Sequence, residues 1–423
     1  MHIQELRSCF AEGSCGVGRP SGRMKNYGWG KLAAGLSVLA AFPFATTVAS
    51  AQSETVLYSF PSHSGVYARP YEDPTGALYV PTYYGRSEGS VVELTEKHGA
   101  WKGRTIYNFQ GNNGQNPDAV LNADPNGVLY GTTQNGGIYG RGTVYSLASV
   151  NGVWTETVLY NFTGGVDGNE PTAGLVRDKA TGTLYGSTPS GGGNSGCGTA
   201  FSLVPSNGKW TFVLDYTFAG GSDGCSPDSG LRKGMTNGTF FGTTQSGGAR
   251  NEGTVFELAE KNGVWFDTVL YSFSSGAGGG ITPVDLDIDQ DGNLFGVTSG
   301  GGNGLGVVFE LSRVHRRWKQ SVLYTFNGGI NGSVPVGLHL DQTAETLYGT
   351  TELGGADGYG TLFKLVKNAS YWTETVLHSF GTTRYDGLYP QSRPTEDPQT
   401  GVLYGTTNGG GTHAGGTVYE IVP

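Results

Sequence analysis

Past residue 51 the apolar residues of this chain fall in short runs of Val, Leu, Tyr, Phe and Thr. Gly-rich or Asx-Gly turns separate the runs, and no helical periodicity is sustained. Such runs predict strands. They recur in one order: P-x-x-G-L-x-x-D, then G-x-L-Y-G-T-T, then G-x-G-T-V-F-x-L, then W-x-x-x-x-V-L-Y-x-F. The L-Y element ends at Tyr79, Tyr130, Tyr185, Phe241, Phe295, Tyr348 and Tyr404, and the third element at Leu94, Leu147, Leu203, Leu258, Leu311, Leu365 and Ile421. Trp101, Trp154, Trp210, Trp265, Trp318 and Trp372 open the fourth, with gaps of 53, 56, 55, 53 and 54. Seven copies of about four short strands at this period predict an all-β fold, a seven-bladed β-propeller.

The two ends support the same reading. A V-L-Y-x-F run, Val56 to Phe60, precedes the first full copy, and the last copy stops after its third strand at Ile421. Aligning Trp372–Phe380 with Gln52–Phe60 places Gln52 in the tryptophan position. The N-terminal strand, about residues 54–60, is therefore expected to complete the open last blade and remove two sheet edges. A linear β-solenoid is the rival, and it does not explain why the missing strand lies at the other end. Tyr and Phe of the repeated runs are expected between blades, with each Trp wedged at the start of an outermost strand. Sugar stacking is the other use open to the tryptophans.

Composition agrees with a turn-rich β protein. The chain has 423 residues, 74 of them Gly, and 14% are charged, where roughly 25% charged and about 7% Gly are ordinary. Residues 1–51 read as a signal segment: a basic flank at Lys25 and Lys31, an apolar stretch Leu32–Val48, and Ala49-Ser50-Ala51 as a cleavage signal. Met24 is the expected true start, and 52–423 the single mature domain. That domain carries 21 basic and 33 acidic groups, a net of −12. It offers no basic stripe for nucleic acid. An exported monomer, periplasmic or extracellular and without a membrane span, is expected.

L-Y-G-T-T-x-x-G-G-x-x-G-x-G-T-V-F-x-L followed by V-L-Y-x-F-x-G-G-x-D-G-x-x-P resembles the Gloeo/Verruco tandem repeat of exported bacterial proteins. Gly131–Leu147 and Gly349–Leu365 carry close copies, and the resemblance runs over residues 54–423. It implies an exported repeat protein, often with a variable surface anchor, and brings no activity. Because the last strand ends two residues before Pro423, an anchored state is not expected here. Kelch repeats share diglycines but not this order, and the G-H…W-D signature of WD40 repeats is missing.

Candidate chemistry is sparse. Cys197 and Cys225, the cysteines left after cleavage, fall in adjacent loops of one face and are expected to form a disulfide. The histidines do not cluster in sequence, so no metal site and no cofactor is expected. Asp287-x-Asp289-x-Asp291-Gly opens like a calcium loop, but position twelve is Thr298, so a hairpin turn is the reading. The Gly of G-L-x-x-D in three blades aligns with Arg69 and Arg393, both in R-P-x-E-D, and Glu72 and Glu396 complete the phrase. Two Arg and two Glu are expected to meet where blades 7 and 1 adjoin, with Asp285, Asp287 and His339 as further polar channel residues. One reading is a salt-bridged seam lining a wet channel. The other is a site for an anionic ligand or glycan, held by Arg69 and Arg393 and flanked by Tyr67, Tyr83, Tyr84, Arg86, Tyr385, His63 and His413. No catalytic motif is found. The expectation is a non-enzymatic propeller that binds an extracellular polysaccharide or a partner protein. Two alternatives stand beside it: a carbohydrate lyase or hydrolase with Glu72 or Glu396 as acid/base, and a purely structural surface protein.

Overall fold

The L-Y-G-T-T run is the second strand of each sheet. In blade 2, Leu129–Thr133 pairs with the short innermost strand Asn122–Ala123 on one side and with Thr143–Val150 on the other; Thr143–Val150 in turn pairs with the outermost strand Val153–Asn161. All pairings are antiparallel, and the pattern repeats to give seven sheets in a ring. Every residue of Leu129–Thr133 is buried, because neighbouring blades cover both faces of the sheet. The computed structural model describes residues 54–85, 88–275, 279–369 and 371–423. The expected signal segment with Met24 and the Ala51 cleavage point, Gln52, and Arg86 lie outside these residues.

Closure follows the expected route. The strand Thr55–Ser59 pairs antiparallel with Thr417–Ile421, Thr55 opposite Glu420 and Ser59 opposite Thr417. Blade 7 thus consists of the split innermost strand (Gly387–Pro390 and Thr395–Glu396), Leu403–Gly410, Thr417–Ile421 and the N-terminal strand. Leu57 and Phe60 then pack against Leu78, Val80, Val92 and Leu94 of blade 1, so the seam is as apolar as the other blade contacts.

The repeat residues make those contacts. Phe of V-L-Y-x-F is buried in every blade, and in blades 1 to 5 it meets an aromatic ring of the next blade edge-on; Phe109 lies 4.9 Å from Tyr145 and Phe273 5.1 Å from Phe309. The tryptophans pack in the reverse direction. Trp154, Trp210 and Trp265 stand edge-on to Tyr79, Tyr130 and Tyr185 of the preceding blade at 5.8–6.0 Å. They are packing residues. The second Thr of G-T-T shares a buried hydroxyl contact with the Thr opening the third strand, as in Thr133–Thr143 and Thr351–Thr361 at 2.8 Å. Gly142 shows why glycine precedes that strand. Its φ is +92°, and a Cβ there would lie 2.5 Å from the Thr133 carbonyl and 2.6 Å from Pro171 of the next blade.

Cys197 and Cys225 are bonded, with Cα atoms 4.5 Å apart, which ties two loops of the same face together. Asp289 accepts from the amides of Asp291 and Asn293, so the Asp-rich segment is a hairpin turn. Among the described residues no helix is long and apolar enough to cross a membrane.

Candidate functional site in the central channel

Asp285 and Asp287 lie two apart on the innermost strand Gly280–Ile288 of blade 5, so both carboxylates share one side of that strand. Each accepts a backbone amide from the adjacent innermost strand of blade 6: Leu338 to Asp285 at 3.0 Å and Leu340 to Asp287 at 3.2 Å. Two arginines converge on them. Arg232 of blade 4 reaches Asp285 at 2.8 Å, and Arg393 of blade 7 reaches Asp287 at 3.0 Å and Asp285 at 4.0 Å. His339 lies 3.7 Å from Asp287 through one ring nitrogen and 3.1 Å from Glu396 through the other. Arg232, Asp285, Arg393, Asp287, His339 and Glu396 therefore form one polar chain across four blades. The packing around it is close: a Cβ on Gly337 would sit 2.3 Å from the backbone nitrogen of Arg393.

Arg69 of blade 1 stands beside this chain with a neutral partner, the Thr395 hydroxyl at 3.0 Å. Thr395 donates onward to the Pro70 carbonyl at 3.1 Å. Burial, then the like charges of Arg393 and Arg232, disfavours the charged form of Arg69. Arg393 behaves oppositely. Burial opposes its charge, but Asp287 and Asp285 outweigh that and hold it firmly protonated. Burial alone would raise Asp287, yet Arg393 and His339 keep its carboxyl below the ordinary range. Three guanidiniums thus face two aspartates, and Glu396 is engaged by His339. Among the described residues Arg69 is the one of these three guanidiniums without a carboxylate at salt-bridge distance.

The expected meeting of two Arg with two Glu does not take this form. Arg and Glu in R-P-x-E-D are three positions apart, so in an extended segment they point to opposite sides. Glu396 takes His339, and Glu72 is pushed up by burial, then by Asp397 and Asp73. The tyrosines gather as a separate patch. Tyr67 and Tyr84 stand edge-on to Tyr83 at 5.2 and 4.7 Å, and all three wrap Gly65, whose φ is +61°. Tyr83 donates to Gln134 of blade 2 at 2.5 Å, and burial followed by Asp118 raises its hydroxyl to about 12. Tyr385, half exposed, lies under the Arg384 guanidinium at 5.3 Å. His63 is exposed at positive φ, and His413 is exposed and contacts the Thr412 hydroxyl at 2.8 Å.

Several residues escape a reading of the sequence. Arg232 follows the consensus Leu of G-L-x-x-D, where blades 5 and 6 carry Asp287 and His339, so that one strand position is polar in three successive blades. Asp118 and Asp228, each just after the Pro that enters an innermost strand, are both raised by burial. Asp228 accepts from Thr172 and from Gln245 at 2.7 Å, while Asp118 Oδ1 is buried without a partner.

A sequence model of the Gloeobacter/Verrucomicrobia repeat matches residues 42–234 and 236–423. No curated protein matches the chain. Among solved structures, a candidate 6-phosphogluconolactonase from Bacteroides uniformis superposes with a TM-score of 0.55 at 13% identity, covering 80% of this chain and 89% of that one. A second, from Bacteroides fragilis, gives 0.51 at 14% identity over 80% and 88%. At such identities the likeness is one of fold. With the repeat model spanning the chain and seven matching blades in the structure, this protein belongs to the Gloeobacter/Verrucomicrobia repeat family.

Proposed function

We propose that this is an exported, monomeric binding propeller whose channel takes an anionic group of an extracellular ligand, an acidic polysaccharide ahead of a partner protein. The observation that carries the reading is Arg69, a guanidinium held by a hydroxyl beside two further arginines. A ligand carboxylate there supplies the missing counter-charge through forked hydrogen bonds. Tyr67, Tyr83 and Tyr84 offer ring faces of the kind sugars pack on. The Cys197–Cys225 disulfide suits a compartment outside the cytosol.

The test is binding of the purified protein to an array of acidic and neutral glycans, with Arg69→Ala and Arg393→Ala alongside. Arg69→Ala is expected to abolish binding of an acidic glycan at unchanged thermal stability. Arg393→Ala strips Asp287 and Asp285 of a buried counter-charge and is expected to cost about 3 kcal/mol of stability as well. Binding that survives Arg69→Ala, or no binding above background, removes the reading.

A hydrolytic reading has one observation in its favour, the raised carboxyl of Glu72. Any glycan that binds should be incubated with wild type and Glu72→Gln. Release of fragments by wild type alone selects this reading over simple binding.

A further inference from the structure

A small polar cluster recurs between neighbouring blades. It joins the Tyr of V-L-Y-x-F, the Asp or Asn of the following turn, and the acidic residue two past the next blade's Trp. Tyr107 and Asn113 both donate to Glu156 at 3.1 Å, and Asn331 donates to Glu374 at 2.7 Å and to the Tyr324 hydroxyl at 3.0 Å. The copy at the ring closure is built differently. His378 replaces the tyrosine, Asp386 is the turn residue, and Glu54, immediately before the closing strand, supplies the second carboxylate.

His378 Nε2 lies 3.1 Å from Asp386 Oδ1 and 3.5 Å from Glu54 Oε2, and the side chains are 10%, 1% and 4% exposed. Donor atoms of all three lie within 4.8 Å of one another. Glu54 Oε1 is buried without a hydrogen-bond partner. We propose that Glu54, His378 and Asp386 bind a divalent transition-metal ion, zinc foremost, which pins the closing strand to blade 6 and to the loop entering blade 7.

One imidazole and two carboxylates are a donor set that zinc accepts. Ligand bonds of about 2.0–2.1 Å in a tetrahedron place donor atoms roughly 3.3 Å apart, and the observed separations straddle that spacing. Asp386 is already oriented for the task. His378 Nε2 lies 3.1 and 3.2 Å from the two oxygens of Asp386, but the Thr382 amide at 2.9 Å and hydroxyl at 3.2 Å both go to Oδ2, which leaves Oδ1 the freer oxygen for an ion. The fourth position falls to water. An oxygen of Glu156 and of Glu374 is orphaned in the same way, but those carboxylates face a phenol and a carboxamide, which are poor ligands for such an ion. Asp267, beside Asp223 and Tyr216, pairs two carboxylates without an imidazole. Only the closure copy brings all three ligand types together among the described residues.

The experiment is calorimetric titration of Zn²⁺ into chelator-treated full-length protein, with thermal unfolding measured in parallel. The variants are His378→Tyr and Glu54→Gln. His378→Tyr restores the repeat's own residue, which pairs well with aspartate, as Tyr160 does with Asp167 at 2.9 Å. Wild type is expected to take up one ion per chain and to gain thermal stability with zinc. Both variants are expected to bind at least about tenfold more weakly and to lose the zinc-dependent gain. Absence of stoichiometric binding in wild type, or a loss under tenfold in both variants, overturns the proposal.

Discussion

Asp215 shows how a single position departs from its repeat. In the other blades the residue between Val and Tyr of V-L-Y-x-F is Leu or Ile, bulged out of the ladder and packed between blades; blade 3 puts a carboxyl there. Burial raises that carboxyl to about 7, against the weaker opposing hydrogen bonds from Ser202 and Trp265. The unfolded chain ionises Asp215 near pH 3.9, so the stability it contributes in acid is lost between about pH 4 and pH 7 and stays lost above. Asp215→Asn removes this loss. Urea midpoints measured across the window should fall less steeply with pH in the variant than in wild type, and parallel curves would refute the assignment. The motif alone exposes the odd residue, but its shift depends on Ser202 and Trp265, which only the fold brings near. The same limit applies to the channel. Alternation along one strand puts Asp285 and Asp287 on one side, whereas their pairing with Arg232 and Arg393 depends on how far the ring turns between blades.

At the scale of strands and loops the sequence is a good guide, because each element is a run with fixed punctuation. Strand order, the N-terminal closure and the Cys197–Cys225 pairing could all be read from the repeat. Other side-chain contacts between one blade and another could not. Glu54 joins His378 and Asp386 only once the ring is closed, and unclustered histidines gave no hint of the group. The disulfide bounds a segment of 28 residues running from the loop of blade 3 into blade 4. Replacing both cysteines with serine is expected to cost about 3 kcal/mol, since the unfolded chain regains the freedom of that loop. Denaturant unfolding checks this, and reducing the wild type should reproduce the variant's midpoint. A variant as stable as the oxidised protein would show that the bridge adds nothing to the turn hydrogen bonds around it.

Across the whole molecule blades 1 to 6 each lean on two others, forward through a phenylalanine and backward through a tryptophan, while blade 7 has the phenylalanine alone. Phe256 is fully buried, 5.0 Å edge-on from Phe218 of the preceding blade. Phe256→Ala is expected to cost about 3–5 kcal/mol. Calorimetry should still show a single transition, because a closed ring has no terminal unit from which to fray as open repeat arrays do. Two separated transitions would mean that the blades melt independently. The pairing of Thr55 with Glu420 has a consequence in time as well. Six blades assemble from residues close in the chain, so they can form in the order in which the ribosome delivers them. The strand Thr55–Ser59 must wait for Thr417–Ile421, made more than 350 residues later, its Leu57 and Phe60 unseated meanwhile. A chain truncated before Thr417 never receives that partner and keeps both edges bare. Closure therefore works as a check on synthesis: only a molecule read through to Ile421 covers Leu57 and Phe60.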